Sequence, residues 1–283
     1  LQKENKGYLT IAQNTKDVDY LRLAYLQAMS IKATQKINTF GVIVDAETKK
    51  ELTANNQKVF DYVIDLEIDD SKDDDWKFRN EWKVWWLTPF KETIKVESDI
   101  LFNRNIDHWW SGLQQKDVCV TSRIVDYEGV ESKCTAYRKL FVDNNLPMLY
   151  SGFTYFRYST VSQRFFVYVR LLTENWEYVK NNILVRCVDT YPTTDVLYAL
   201  AAVFIGVEKC TNPALEFPTF VHLKGAVNRL SADSDWTEYY YSQINNSLDV
   251  TVGFTRQMYP LHYYVKTFAT EGVIQKYERH LTK

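Results

Sequence analysis

The stretch "ETIKVESDILFN", residues 92–103, decides how the chain is read. Thr93 to Val96 are mostly apolar and β-branched, the composition of a buried strand. Glu97 and Asp99 follow with one serine between them, and an apolar run resumes at Ile100. Carboxylates at the mouth of a buried strand must be solvated, paired or bound to a cation, because an isolated buried charge costs too much. Upstream, "GYLTIAQN" (7–14), "TFGVIVD" (39–45) and "VFDYVIDLEI" (59–68) are further strand candidates. Between them lies "DVDYLRLAYLQAMSIKAT" (17–34), a helix with Val18, Leu21, Tyr25 and Ala28 at helical spacing and Asp17 placed as its N-cap. "AETKKELTANN" (46–56) is a short helix, and "WKFRNEWKVWWLT" (76–88) another that Pro89 ends. Strands alternating with helices specify an α/β fold, a mostly parallel sheet flanked by helices. Ligands bind such sheets beyond the carboxyl ends of the strands, where Asn14 and the Glu97/Asp99 pair fall.

Downstream, "DVCVTS" (117–122) and "SGFTYFRYS" (151–159) read as strands, and "TTDVLYALAAVFIG" (193–206) as a helix with Asp195 near its start. "FPTFVHLKG" (217–225) ends in a strand that carries His222. Beyond Leu230 the pattern weakens into a Tyr-rich segment and a basic tail. Glu97, Asp99, Asp195 and His222 thus share one edge. Carboxylate oxygens with one imidazole suit Mn²⁺, and Mg²⁺ less well. Taken singly, each feature has a plainer reading: a solvated strand end, a helix N-cap at Asp195, a satisfied core histidine at His222. His108, His262 and His280 lack metal spacing and are read as structural. Lys77 and Arg79 either reach a diphosphate from their helix or form a solvated face.

The composition fits these elements. A hydrophobic share of 46% and a charged share of 25% are ordinary for a globular chain, and 283 residues give ample material for a core. Twenty tyrosines and eight tryptophans suit either ring stacking or a well-filled core. The net charge of −2 hides an asymmetry, since "DLEIDDSKDDD" (65–75) carries seven acids and one lysine. The rest of the chain is correspondingly basic, so a polyanionic partner is permitted but not demanded. That acidic loop is expected to be a solvated connection. The four cysteines form no CxxC pair and read as reduced thiols of a cytosolic protein. No apolar run approaches the ~18 residues of a membrane span, so no membrane partner is expected. Leu1 in first place suggests a trimmed or tagged chain. Hydrolases, P-loop NTPases and Rossmann dehydrogenases are disfavoured, because no Ser/His/Asp order, Walker loop or G-x-G-x-x-G turn is present.

"VWWLTPFKETIKVESDILF" (84–102) resembles the helix–strand–acid-x-acid segment of the glycogenin-like GT-A glycosyltransferases. "YSGFTYFRYS" resembles that group's Asn-Ser-Gly strand, "TTDVLYAL" its Asp-Gln-Asp helix start, and "VHLKGAVNR" its His-x-x-Gly-x-x-Lys-Pro-Trp element. The pieces occur in the family's order and cover roughly residues 7–229. The chain also resembles glycosyltransferases of tailed phages, some of which add arabinose to 5-hydroxymethylcytosine in the phage's own DNA.

The resemblance implies a GT-A (Rossmann-like) domain over residues 1–230, with a Tyr-rich and basic extension, 231–283, packed on it. It implies a UDP-sugar donor, a divalent ion held by Asp99, His222 and Glu97, and duplex DNA as acceptor, in a host cytoplasm. Gln13 and Asn14 would face the nucleotide, Ser151 and Gly152 the donor sugar, and Gly225 the phosphates. Lys224 or Arg229, with Lys77, would neutralise the diphosphate. Asp195 would be the catalytic carboxylate, and retention of configuration is favoured. The chain departs from the family's pattern at Glu97, Tyr150, Thr193, Thr194 and Asn228, the last replacing the phosphate lysine. A transferase acting on glycans or proteins, and a module that binds nucleotide sugars without turnover, remain the alternatives.

Overall fold

The computed structural model describes residues 4–72, 74 and 76–282. Asp73 and Asp75 of the acidic loop and Lys283 of the basic tail lie outside them.

Strands β1 (Glu4–Ala12), β2 (Phe40–Val44), β3 (Tyr62–Asp65) and β4 (Phe90–Val96) come first. β5 (Ile100–Leu101), β6 (Val118–Thr121), β7 (Arg123–Val125), β8 (Tyr150–Arg157) and β9 (Thr219–His222) follow. The last four are β10 (Ser242–Ile244), β11 (Val250–Val252), β12 (Thr255–Arg256) and β13 (Leu261–His262). A six-stranded sheet has the order β3-β2-β1-β4-β8-β6. Its first four strands are parallel, while β8 runs antiparallel to both β4 and β6. The protein is of the α/β class anticipated from the alternation.

Period-two patterning divides this sheet between two hydrophobic clusters. Tyr8, Val42, Val44, Ile94 and Val96 face one, with helix α1 (Tyr20–Thr34) and the helix Glu271–Leu281. Leu9, Ile43 and Phe90 face the other, with the helices Thr160–Glu174 and Thr194–Ile205. Both faces are covered, so β2 reads as the unbroken apolar run "FGVIV" and all five of its residues are buried.

Local chemistry shifts several boundaries. Helix α1 is capped by Asp19, whose carboxylate accepts from Arg22 N at 2.9 Å, and not by Asp17. The reason is a turn between Thr15 and Val18, closed by two hydrogen bonds, that occupies the preceding residues. "AETKKELTANN" splits into Ala46–Lys50 and Ala54–Val59, the second with a Thr53/Asn56 capping box. The expected helix before β4 is a 3₁₀ segment, Lys77–Lys83, followed by one α turn, Val84–Leu87. The acidic loop is more than a solvated connection. The Asp69 carboxylate accepts from Ser71 and Asn80, Asp70 pairs with Lys83 at 2.9 Å, and Asp74 pairs with Arg79.

Two smaller sheets complete the fold. One has the order β5-β13-β9-β7 and the other β10-β11-β12. Trp236, Tyr263, Ile274 and Tyr277, all from beyond residue 230, lie in the same hydrophobic cluster as α1 and β1.

All four cysteines are free. Cys119 and Cys210 are buried, and burial pushes both thiols up to about 12. Thiolate is the reacting species and must also be reached, so a disulfide reagent at pH 8 is expected to label only the half-buried Cys134 and Cys187 in the native protein, although burial raises the Cys187 thiol as well. The other two should react only in denaturant, and native labelling of Cys119 would contradict the packing of β6.

Candidate metal and nucleotide site

The two acids sit on the turn by which the chain changes sheets, between β4 of the large sheet and β5 of the four-stranded one. β4 ends at Val96, and Glu97 N still donates to Gly152 O of β8 at 2.9 Å. Ile100 N then donates to Glu97 O at 3.1 Å, closing the turn into β5. Gln27 of α1 is buried and donates its amide to the carbonyls of Glu97 and Ile100. β5 pairs antiparallel with β13, placing His262 opposite Ile100. His262 Nε2 consequently lies 3.0 Å from Asp99 Oδ2 and 3.5 Å from Glu97 Oε2. Lys266 Nζ donates to the same Asp99 Oδ2. Between the histidine and the lysine, Tyr264 adopts φ +58°, a left-handed conformation that costs a residue with a Cβ about 1–3 kcal/mol and clusters at functional sites.

The electrostatics follow from this crowding. Burial disfavours an ionised Asp99, but the charges of His262 and Lys266 and their hydrogen bonds outweigh it and hold the carboxyl well below its ordinary range. Burial likewise pushes His262 down, and the Asp99 carboxylate and its hydrogen bond more than reverse that. Glu97 is raised, chiefly by burial, with His262 and Lys95 opposing and Asp99 and Asp195 adding. His222 is well below its ordinary value because of burial, then the neighbouring His262 and Lys224.

Among the described residues, Glu97, Asp99 and His262 bring one ligand atom each to within 4.8 Å of one another. Two carboxylate oxygens and one imidazole fit a hard or borderline divalent ion such as Mn²⁺ or Mg²⁺. His222 was expected as the imidazole ligand and His262 as structural, and here the placement differs. The two residues are register partners on adjacent parallel strands β9 and β13, with rings 4.7 Å apart. It is His262 that contacts the carboxylates. Nδ1 of each ring is buried without a hydrogen-bond partner.

A cleft of about 240 Å³ opens above these groups at the carboxyl edge of the parallel strands. Gln13, Lys77, Glu97 and Asp99 line it, together with Tyr20 and Trp76. Gln13 is also a strut, donating to Asp45 at 3.1 Å and accepting from Asn80 at 3.0 Å. Asn14 instead ties the start of α1, accepting from Leu21 N at 2.9 Å and donating to Glu51.

Ser151 adjoins Glu97, and Asp195 adjoins Ser151, though neither is among the residues lining the cleft. Ser151 Oγ stands 3.2 Å from Glu97 Oε1 and 2.8 Å from Asp195 Oδ1, and Ser151 N donates to the same Asp195 oxygen. Asp195 Oδ2 pairs with the buried Arg138 at 2.8 Å. Thr193, not Asp195, caps the helix. Gly152 faces Glu97, where a Cβ would stand 3.4 Å from Oε2. At Gly225 a Cβ would lie 2.1 Å from Ser231 O, so local packing by itself requires glycine there. Arg229 points outward to Glu128 at 2.7 Å, and Lys224 lies over the Tyr137 and Tyr264 rings. The sequence reading missed His262, Lys266, Arg138 and the Lys95–Glu81 pair, which also lines the cleft. The one signal was "LHYYVK" (261–266), too short to show a strand period.

His262→Ala is expected to weaken Mn²⁺ binding by roughly 10–100-fold or more, since loss of outer-shell partners alone costs that much. His222→Ala should cost less. Calorimetric titration of both variants checks this, and the reverse ranking would restore His222 as the ligand.

No family model matches the chain, and no curated protein matches it. Among solved structures it is similar to the apo WbbM bifunctional glycosyltransferase, at 11% identity and a TM-score of 0.49, over 84% of this chain and 43% of that one. The chain thus spans less than half of that protein's length. It is also similar to the galactosyltransferase LgtC, solved in complex with donor and acceptor sugar analogs, at 12% identity and a TM-score of 0.44 over 70% of each chain. Mouse xyloside xylosyltransferase 1 in its apo form aligns at 12% identity and a TM-score of 0.41, over 61% of this chain and 76% of that one.

Proposed function

We propose that the protein is a metal-dependent glycosyltransferase that moves a sugar from a UDP-sugar to a hydroxyl acceptor. The observation that carries this reading is the Glu97–Asp99–His262 group at the floor of the cleft, on the turn where the acid-x-acid resemblance falls. Asp99 and His262 would hold the ion, and Glu97 would bind it directly or through water. When bound, the ion stabilises the negative charge that develops on the departing diphosphate.

The chain's own groups do the rest. Tyr20, Trp76 and Phe78 give the cleft flat apolar walls against which a base or sugar ring can lie. Asp195 is the carboxylate proposed to face the reacting sugar, where it steadies positive charge at the anomeric carbon or takes the acceptor's proton. Arg138 and Ser151 fix its orientation through hydrogen bonds to both of its carboxylate oxygens. The single Ser151 hydroxyl hydrogen serves either Asp195, at 2.8 Å, or Glu97, at 3.2 Å, and the Ser151 backbone N–H holds Asp195 in either case. Positioning of two substrates can supply about 7–11 kcal/mol of the barrier, so few chemical groups are needed.

Hydroxymethylcytosine in duplex DNA is the acceptor proposed from the phage resemblance, with arabinose or a hexose transferred and configuration retained. The basic tail is a poorer DNA contact than its sequence implies. Arg256 pairs with Asp249, Lys266 with Asp99, and Lys276 donates to Ile244 O. No helix among the described residues is long and apolar enough to cross a membrane.

The test is incubation with UDP-sugars and Mn²⁺, with hydroxymethylated duplex DNA or a glycan as acceptor, followed by mass analysis of nucleosides and glycans. A base heavier by one pentose or hexose supports the full reading. Transfer to the glycan alone removes DNA and leaves the transferase. No UDP release from any donor, with or without acceptor, rejects the enzyme.

A further inference from the structure

A departing diphosphate needs a positive side chain beside it, and the expected candidates are placed otherwise: Lys224 lies over the Tyr137 and Tyr264 rings and is not among the residues lining the cleft, and the others are committed to protein partners. Asn228, at the position of the family's lysine, is buried, donating to the carbonyls of His222 and Lys224, both at 2.8 Å, and accepting from Tyr127 N. Arg229 is bound to Glu128 on the outer surface. Lys77 donates to Ser71 O at 2.8 Å, and Lys95 is locked against Glu81.

Lys266 differs from all of these. It lines the cleft, its side chain is 30% exposed, and it stands at the start of a 3₁₀ turn, Lys266–Phe268, just beyond the left-handed Tyr264. Its ammonium donates to Asp99 Oδ2, one of the oxygens available to a dication. Two cations at contact distance from one oxygen repel strongly in a low-dielectric site, so the ammonium must leave for an ion to enter. Four rotatable carbons give the lysine reach, and a lysine ammonium is a good point charge for phosphate.

We propose that Lys266 is an exchangeable cation, neutralising Asp99 until a dication takes that oxygen and then turning to the donor's diphosphate. The second half rests on the reading of the cleft as a nucleotide-sugar site. The exchange couples ion and nucleotide: the ion frees the lysine, and the lysine favours the nucleotide.

Three measurements test it. Mn²⁺ binding, followed by the electron paramagnetic resonance of free Mn²⁺, is compared in wild type and Lys266→Met. Removal of the competing charge should tighten Mn²⁺ binding on the order of tenfold, within the usual range of coupling between sites. In saturating Mn²⁺, the same variant should bind UDP on the order of tenfold more weakly, with Lys266→Arg recovering part of the loss. In the wild type, acylation of Lys266 read by peptide mass should rise with Mn²⁺ alone and fall again when UDP is added, a readout independent of any variant's folding.

Mn²⁺ binding equal or weaker in Lys266→Met, or acylation indifferent to Mn²⁺, overturns the exchange. UDP binding unchanged in Lys266→Met overturns the phosphate role. A wild type that binds Mn²⁺ but neither binds UDP nor releases it from any donor sinks the nucleotide-sugar reading instead. In that case the Mn²⁺ comparison still decides whether Lys266 and the ion compete.

Discussion

Lys95→Met is expected to lower folding stability by about 3–5 kcal/mol, the cost of breaking a buried ion pair from one side. Lys95 lies on β4 two residues before Glu97, and Glu81 reaches it from the 3₁₀ segment Lys77–Lys83. Both side chains are under 5% exposed, and Glu81 also accepts from Tyr198 O–H at 2.7 Å. Without Lys95 the Glu81 carboxylate keeps one neutral partner and almost no water, so its charge is stranded. Glu81→Leu leaves an equally stranded ammonium and should fall by a similar amount. The double replacement Glu81→Leu/Lys95→Met should recover most of the loss, because a buried pair is worth little more than an apolar one of similar volume. Urea unfolding of the three variants checks this. Single losses below about 1 kcal/mol, typical of a solvated surface pair, would mean that the pair is wet. Recovery of stability without recovery of Mn²⁺ binding would separate the pair's structural part from its influence on Glu97.

Asp99→Asn is expected to weaken Mn²⁺ binding by more than about 100-fold, beyond what loss of an outer-shell partner costs. The amide keeps the volume and the backbone bond from Tyr263 N, but it removes the negative charge that His262 and Lys266 share. The proposed transfer activity should fall with it, on the order of a thousandfold if the ion's stabilisation of the leaving group resembles loss of one strong oxyanion contact. The pH profile carries a separate signature. A carboxyl held low in the folded state contributes stability that is present above its ordinary range and lost as pH falls through the folded value. The acid side of the wild-type stability profile should therefore be steeper than that of Asp99→Asn. Mn²⁺ affinity equal in the two proteins would remove Asp99 from the site.

The parallel half of the large sheet was legible because its strands are short apolar runs bounded by turn residues, and α1, between the first two, carries 3.6-residue spacing. Helix α1 shows the limit of that reading. Asp17 and Asp19 are equally good cap residues, and the choice fell to a turn at Thr15–Val18 that periodicity does not encode. The 3₁₀ segment before β4 read as an α-helix because its apolar residues suit both. Asn80 and Lys83, which tie it to the acidic loop, are long-range contacts that no window of sequence contains.

The site divides in the same way. Glu97 and Asp99 are sequence neighbours at a strand's end, so their proximity to each other and to the cleft was fixed by the chain itself. The imidazole was not: His222 and His262 are forty residues apart, and only the pairing of β13 between β5 and β9 decides which one meets the carboxylates. Strand pairing is a contest among distant segments settled by packing, and two residues of strand leave no period to read. Local order, the strand-to-turn switch and the acid pair therefore came from sequence. The partner histidine, the lysine on Asp99 and the buried Lys95–Glu81 pair came from tertiary structure alone, because each depends on the energy of a contact between residues the chain order keeps apart.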